Sequence, residues 1–266
     1  MSLIDLSNSS SSSLAIIAVD IEFTRHGRNL DQSRIMALGV VCIDLGKHLN
    51  VFSKQTLLNE TILEKIIPKE DRLEIYIHDQ MLISSYEESK FDNEYWEEIK
   101  GKEFWTRQDP EHKKLFKDTF QKMKDSIINE TQAMEAFDRF VAIQIKKYKG
   151  QVLFISDTSN VDYPFIDLYR RKFLGNVSSI NFLTGKGFVD MINTSVFYAG
   201  LLGKPFTFDE WDNFYNEKAL KEKGYNLPEF TPEFKKEIHN PYWDAQNIAL
   251  CFATIYTQLH RGSDVV

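Results

Sequence analysis

The sequence predicts an α/β protein built on a mixed β-sheet. Three observations lead there. Two apolar, β-branched runs open the ordered part of the chain. A capped helix, a buried strand and a second helix follow one another from residue 129 to about 173. A long amphipathic helix closes the chain.

Residues 1–13 carry a serine run from Ser9 to Ser13 and no apolar pattern, so they read as a disordered tail. Leu14 to Phe23 reads as a buried strand and Arg34 to Asp44 (RIMALGVVCID) as a second. Gly46 turns the chain into an expected third strand at 47–56, completing an antiparallel meander. Residues 57–128 are rich in charge and aromatics, with Trp96 and Trp105 among them, and read as a helical insertion. Within it, Lys113 to Ile127 has helical periodicity through Leu115, Phe116, Phe120 and Met123.

Asn129 to Lys149 reads as a stronger helix. Asn129 and Gln132 form a capping-box pair, Met134, Phe137, Val141, Ile145 and Tyr148 make one face, and Gly150 stops it. Gln151 to Ser156 is then a buried strand, and Asp162 to Phe173 a helix. Helices are also expected over Gly187 to Leu201, Asp209 to Lys223 and Pro241 to Leu259. Residues 14–266 are expected to form one domain, because the acidic residues that carry chemistry lie towards both ends of it.

Bulk properties narrow the class. The 266 residues are 42% hydrophobic, with 20 Phe and 11 Tyr, enough for a well-packed core. The apolar run Leu14 to Val19 is far too short to span a bilayer and lacks the basic flank of a signal peptide. Cys42 and Cys251 sit in apolar surroundings and read as buried thiols of a reducing, cytoplasmic compartment. Thr184-Gly185-Lys186-Gly187 lacks the P-loop pattern, and no His/Cys cluster suggests zinc. A net charge of −7 argues against a strongly basic nucleic-acid binder, but carboxylates that serve as metal ligands would account for part of it.

Three acidic islands carry the chemistry. Asp20 and Glu22 end the first strand and, two apart, point to one face. Two like charges so placed raise each other's pKa or call for a cation; the alternative is an exposed strand end. Asp157 and Asp162 follow the strand 151–156, and either can equally be a turn or helix cap. His239 lies just before the expected N-cap Asn240 and first helical residue Pro241, with Asp244 in the first or second turn. On the incoming loop His239 can share a pocket with Asp244, or the segment can be a plain cap with a surface histidine.

Taken in order, D-I-E at 20–22, S-D-T-S-N-V-D-Y-P-F-I at 156–166 and H-N-P-Y-W-D-A at 239–245 resemble the three exonuclease motifs of the DEDDh family. This group of 3′–5′ exonucleases includes oligoribonuclease and bacterial proofreading subunits. The islands are short but span residues 20–245. The resemblance implies a ribonuclease-H-like fold: a five-stranded mixed sheet, three antiparallel strands then two parallel ones, flanked by helices. It also implies Asp20, Glu22, Asp162 and Asp244 as ligands of two Mg²⁺ or Mn²⁺ ions, with His239 as general base. Hard oxygen ligands suit those ions, and two of them can activate water and stabilise a leaving 3′ oxygen.

The implied substrate is a single strand with a free 3′ hydroxyl, RNA before DNA, cut to mononucleotides; no membrane is involved and a homodimer is allowed. Phe23 either stacks on the terminal base or packs in the core, and Arg25 and Arg28 lie where the strand must pass the metals. Thr24 departs from the Gly-Leu step common after the Glu, and Thr158 stands where Asn is common. Both positions bear on how the terminal nucleotide is held. Glu103-Phe104-Trp105 with Gln108 resembles a Trp-centred segment of some exoribonucleases of the group. Other basic clusters, Lys122 and Lys124 among them, read mainly as solvated helix faces. The competing readings are a DNA proofreading-type exonuclease, an inactive nucleic-acid-binding module of the same fold, and a phosphodiesterase for dinucleotides.

Overall fold

The computed structural model describes residues 14–24, 34–52, 57–80, 83, 110–157, 159–175, 191–203, 217–231 and 240–261. The serine run, Arg25, Arg28, Thr158, His239 and the Trp105 segment lie outside these residues.

The apolar runs form strands as their patterns demand. Strand β1 (Ala15–Thr24) pairs antiparallel with β2 (Arg34–Asp44), from Ala15 opposite Asp44 to Thr24 opposite Arg34. The register shifts between Glu22 and Phe23, opposite the stretch Ile35–Ala37. Such an irregularity re-aims the side chains next to it.

The third antiparallel strand is not 47–56. Helix α1 (Leu45–Phe52) begins directly after β2, with the Asp44 carboxylate accepting from the Lys47 backbone N–H at 2.9 Å. This cap turns the chain into a helix where Gly46 suggested a hairpin. The strand that does pair with β2 is β4 (Arg72–Tyr76), with Val41 opposite Arg72 and Ala37 opposite Tyr76. Between them, β3 (Leu57–Leu58) leads into helix α2 (Glu60–Ile66), whose N-cap Asn59 accepts from Ile62 N–H.

Helix α3 (Pro110–Asp125) is followed by α4 (Glu130–Lys147). The capping box is present: Asn129 accepts from Gln132 N–H while the Gln132 side chain accepts from Asn129 N–H. A cap of this kind is worth about 1 kcal/mol. The helix ends with Lys149 and Gly150 in the left-handed region, at φ 53° and 81°. Strand β5 (Val152–Ser156) runs parallel to β1, Ala15 opposite Val152. Helix α5 (Ser159–Leu174) follows, and its first turn contains Asp162, which is therefore not the N-cap.

Strand β6 (Ile192–Asn193) pairs parallel with β5. The helix expected from 187 starts only at Thr194 in α6 (Thr194–Leu202), because Asn193 caps it by accepting from Val196 N–H; residues 187–190 lie outside the described ones. Of 209–223, α7 (Glu217–Glu222) is described, with 209–216 outside. Strand β7 (Glu229–Phe230) pairs with β3, and helix α8 (Pro241–Arg261) closes the fold.

The sheet order is β4-β2-β1-β5-β6. Alternation along β1 divides the core. Ala15, Ile17, Val19 and Ile21 pack with Phe137 of α4 and Phe165, Ile166 and Tyr169 of α5. Ile16 and Ala18 pack on the other face with Ala245, Ile248, Ala249 and Phe252 of α8. Each large side chain so buried contributes about 1.5–3 kcal/mol. Cys42 and Cys251 are both buried and are not joined in a disulfide. Among the described residues no helix is long and apolar enough to cross a membrane.

Candidate active site

The alternation that buries Ile16 and Ala18 under α8 puts Asp20 and Glu22 on that same face, at the end of β1. Asp20 pairs across the sheet with Gly39 of β2. The start of α8 lies directly on Gly39: a Cβ there would sit 2.0 Å from the Pro241 carbonyl oxygen and 2.4 Å from the Tyr242 nitrogen. Only glycine allows this approach. Asn240 caps the helix, its side chain accepting from Trp243 N–H at 3.1 Å. The two features deliver Asp244, in the first turn, to Asp20 and Glu22.

Strand β5 runs parallel beside β1, so its end arrives at the same edge of the sheet. It brings Ser156 and Asp157, and the turn into α5 returns Asp162 to them. Ser156 Oγ donates a hydrogen bond to Asp162 Oδ2, which fixes a carboxylate that is almost fully buried.

Five carboxylates result, in two groups that share Asp20. One oxygen from each of Asp20, Glu22 and Asp244 lies within 4.8 Å of the others, and so do oxygens from Asp20, Asp157 and Asp162. Glu22 is buried at 6% exposure and Asp162 at 2%. Oδ2 of Asp20 is buried and has no hydrogen-bond partner among the described residues. Burial first, then Asp244, Asp162, Asp157 and Glu22, hold the Asp20 carboxyl well above its usual range. Elsewhere buried and half-buried carboxylates meet cations. Lys147 bonds both oxygens of Asp71 at 2.6 and 2.7 Å, and buried Arg170 grips Asp138 at 2.6 and 3.2 Å. At Asp20 the charges acting among the described residues are all negative. An orphaned buried oxygen at the junction of two acidic groups fits divalent cations, whose hard oxygen-ligand chemistry this donor set matches.

The other expected residues fare differently. Phe23 lies beyond the register shift and packs against Phe165, ring centroids 4.6 Å apart, on the face opposite Asp20 and Glu22. The structure thus places it in core packing. Thr24 ends β1, opposite Arg34. Asp157, which the sequence reads as a strand end or turn cap, belongs to the cluster. The signal that would have found it is its position, one residue past a buried strand parallel to β1.

The strand order and directions decide the fold: β4, β2 and β1 are antiparallel, and β1, β5 and β6 parallel. The fold is ribonuclease-H-like. In this ribonuclease-H-like sheet the acidic cluster sits where the two central parallel strands end. No family model and no curated protein matches the chain. Among solved structures, the nuclease domain of 3'hExo, a DEDDh family member, bound to rAMP, is similar at 14% identity. That similarity covers 96% of this chain and 95% of that one, with a TM-score of 0.47.

Proposed function

We propose that this chain is a metal-dependent 3′–5′ exonuclease of the DEDDh type, a single domain over residues 14–266 that releases mononucleotides from single-stranded nucleic acid, RNA before DNA. The observation that carries the reading is the orphaned, buried oxygen of Asp20 between two acidic groups. Three sequence islands in the family's order support it, as does the sheet that brings their carboxylates together.

Asp20, Glu22, Asp162 and Asp244 would hold two Mg²⁺ or Mn²⁺ ions, with Asp20 common to both groups. When bound, such ions activate a water and neutralise the leaving 3′ oxygen. Ser156 orients Asp162 by its hydrogen bond. Asp157 adds a fifth oxygen donor beside Asp20. His239, one residue ahead of the capping Asn240, is the candidate base that takes the proton of the attacking water. Its imidazole is suited to that role at neutral pH. Arg25, Arg28 and Thr158 are the candidates for holding the terminal nucleotide.

Digestion of matched RNA and DNA strands, each ending in a 3′ hydroxyl or a 3′ phosphate, tests the reading. Cleavage of the hydroxyl-ended RNA first, DNA more slowly, and neither phosphate-ended strand is expected. Efficient DNA cleavage with RNA untouched would overturn the substrate assignment.

A further inference from the structure

Strand β5 carries a row of side chains that ends beside Asp20. Ile155 of β5 stands opposite Ala18 of β1, and both pack on the face that α8 covers. Two residues further along each chain are Asp157 and Asp20. A period of two keeps each on the face of its predecessor. The pair therefore closes the same row, and an oxygen of Asp157 lies within 4.8 Å of oxygens of Asp20 and Asp162. Ser156 alternates to the opposite face, that of Phe154, where α5 packs. There it donates to Asp162 Oδ2. Adjacent residues thus have separate tasks: Ser156 orients the carboxylate of α5, and Asp157 brings one of its own.

The carboxylates form two groups of three that share Asp20. Without Asp157 the second group would be Asp20 and Asp162 alone. A Mg²⁺ ion held by one or two protein carboxylates commonly relies on substrate phosphates for further oxygens. A third carboxylate reduces that reliance. Asp20 also has an oxygen to give: its buried Oδ2 has no hydrogen-bond partner among the described residues. Charge points the same way. Five ionised carboxylates carry one negative charge more than two divalent ions offset, which favours holding both ions on the protein.

We propose that Asp157 is a ligand of the second divalent ion and makes that ion resident, held by Asp20, Asp157 and Asp162 before any nucleic acid arrives. The inference rests on the nuclease reading, because that reading supplies the two ions. The competing role for Asp157 is a cap on the turn after β5. A cap needs an acceptor oxygen but no charge, and asparagine serves as well as aspartate. Asp157→Asn therefore removes the ligand charge and keeps the cap.

The test counts Mn²⁺ ions bound to the nucleic-acid-free protein by calorimetric titration, with wild type, Asp157→Asn and Glu22→Gln. The melting temperature of each is followed without metal. Wild type should bind two ions. Asp157→Asn should bind one at wild-type affinity and the other at least about tenfold more weakly, since loss of a mere outer-shell partner already costs about that much. A nucleoside 5′-monophosphate should restore the second ion to this variant, because phosphate oxygens can replace the missing ligand. Glu22→Gln should weaken the other ion and leave the Asp157-dependent one. The metal-free melting temperature of Asp157→Asn should equal or exceed that of wild type, because a repelling charge is gone. An Asp157→Asn protein that binds both ions as wild type does would overturn the proposal. So would a wild type that takes up its second ion only with the monophosphate present. Loss of both ions in Asp157→Asn together with a lowered metal-free melting temperature would mark a supporting residue and overturn it too. A wild type that binds neither ion, with or without the monophosphate, would overturn the nuclease reading itself.

Discussion

Gly39 and Pro241 are in backbone contact that no side chain could interrupt: a methyl group on Gly39 would lie 2.0 Å from the Pro241 carbonyl oxygen. Gly39 is also the cross-strand partner of Asp20. One glycine therefore sets the distance between the first strand and the last helix, and with it the distance from Asp20 to Asp244.

The Gly39→Ala variant should accordingly lose both stability and activity. The added carbon meets backbone, which cannot rotate away. Overpacking of this kind costs about 1–3 kcal/mol. Thermal unfolding should show the lowered melting temperature. Divalent-ion affinity, measured by calorimetric titration, should fall with it. Wild-type affinity in this variant would separate the helix placement from the site.

Asp20→Asn should show the opposite signs for stability and function. In the metal-free protein Asp20 suffers burial and four carboxylate neighbours, so removing its charge relieves repulsion. The melting temperature without metal should rise by about 2–4 °C for each kcal/mol of repulsion removed. The stabilisation that Mg²⁺ or Mn²⁺ gives wild type should disappear from the variant.

Ser156→Ala keeps all five carboxylates and removes the donor that orients Asp162. Loss of such a supporting hydrogen bond typically weakens metal affinity or activity about 10–100-fold. A titration of activity against Mn²⁺ should show the shift. An unchanged curve would mean that Asp162 is held by other contacts.

Tyr169 anchors α5 to the irregular stretch of β2, its hydroxyl accepting from Ile35 N–H at 2.8 Å. Burial pushes its hydroxyl pKa up to about 12, against a counteracting hydrogen bond from Ile35. The folded state thus keeps a proton that the unfolded state releases near pH 10. Stability should be intact below that value and fall as pH rises from about 10 through about 12. Denaturant midpoints across that range should show the fall in wild type. Tyr169→Phe should lose about 1 kcal/mol at neutral pH and show less of the alkaline decline.

Much of this was legible in the sequence because it is written locally. Apolar β-branched runs gave β1, β2 and β5, and the Asn129–Gln132 pair gave α4. Asn240-Pro241 marked the start of the last helix. The third antiparallel strand was misplaced because the competition was between a glycine turn signal at Gly46 and a cap from Asp44, and the cap wins. The strand that takes its place, Arg72–Tyr76, is a short edge strand with partly exposed residues and no apolar run to announce it. Within the site, Asp20, Glu22, Asp162 and Asp244 could be singled out by motif. Asp157 could not, because its place in the cluster depends on which strand lies beside β1. The side taken by Phe23 was legible, because it follows Val19 and Ile21 in the alternation along β1.

His239→Ala should lower turnover by about 10²–10⁴-fold, the range usual for removal of an acid–base group, while divalent-ion binding persists. Single-turnover rates and calorimetric metal titration on one preparation measure both. Joint loss of metal affinity and turnover would make His239 a ligand or a support rather than the base.

The most direct measurement follows 5′-labelled single-stranded RNA incubated with wild type and Asp20→Asn, with Mg²⁺, with Mn²⁺ and with chelator. Wild type should produce a ladder shortening from the 3′ end only when metal is present, and Asp20→Asn should leave the strand intact. A wild-type protein that never shortens the strand with either ion, or an Asp20→Asn protein that shortens it as fast as wild type, would contradict a metal-dependent exonuclease centred on Asp20.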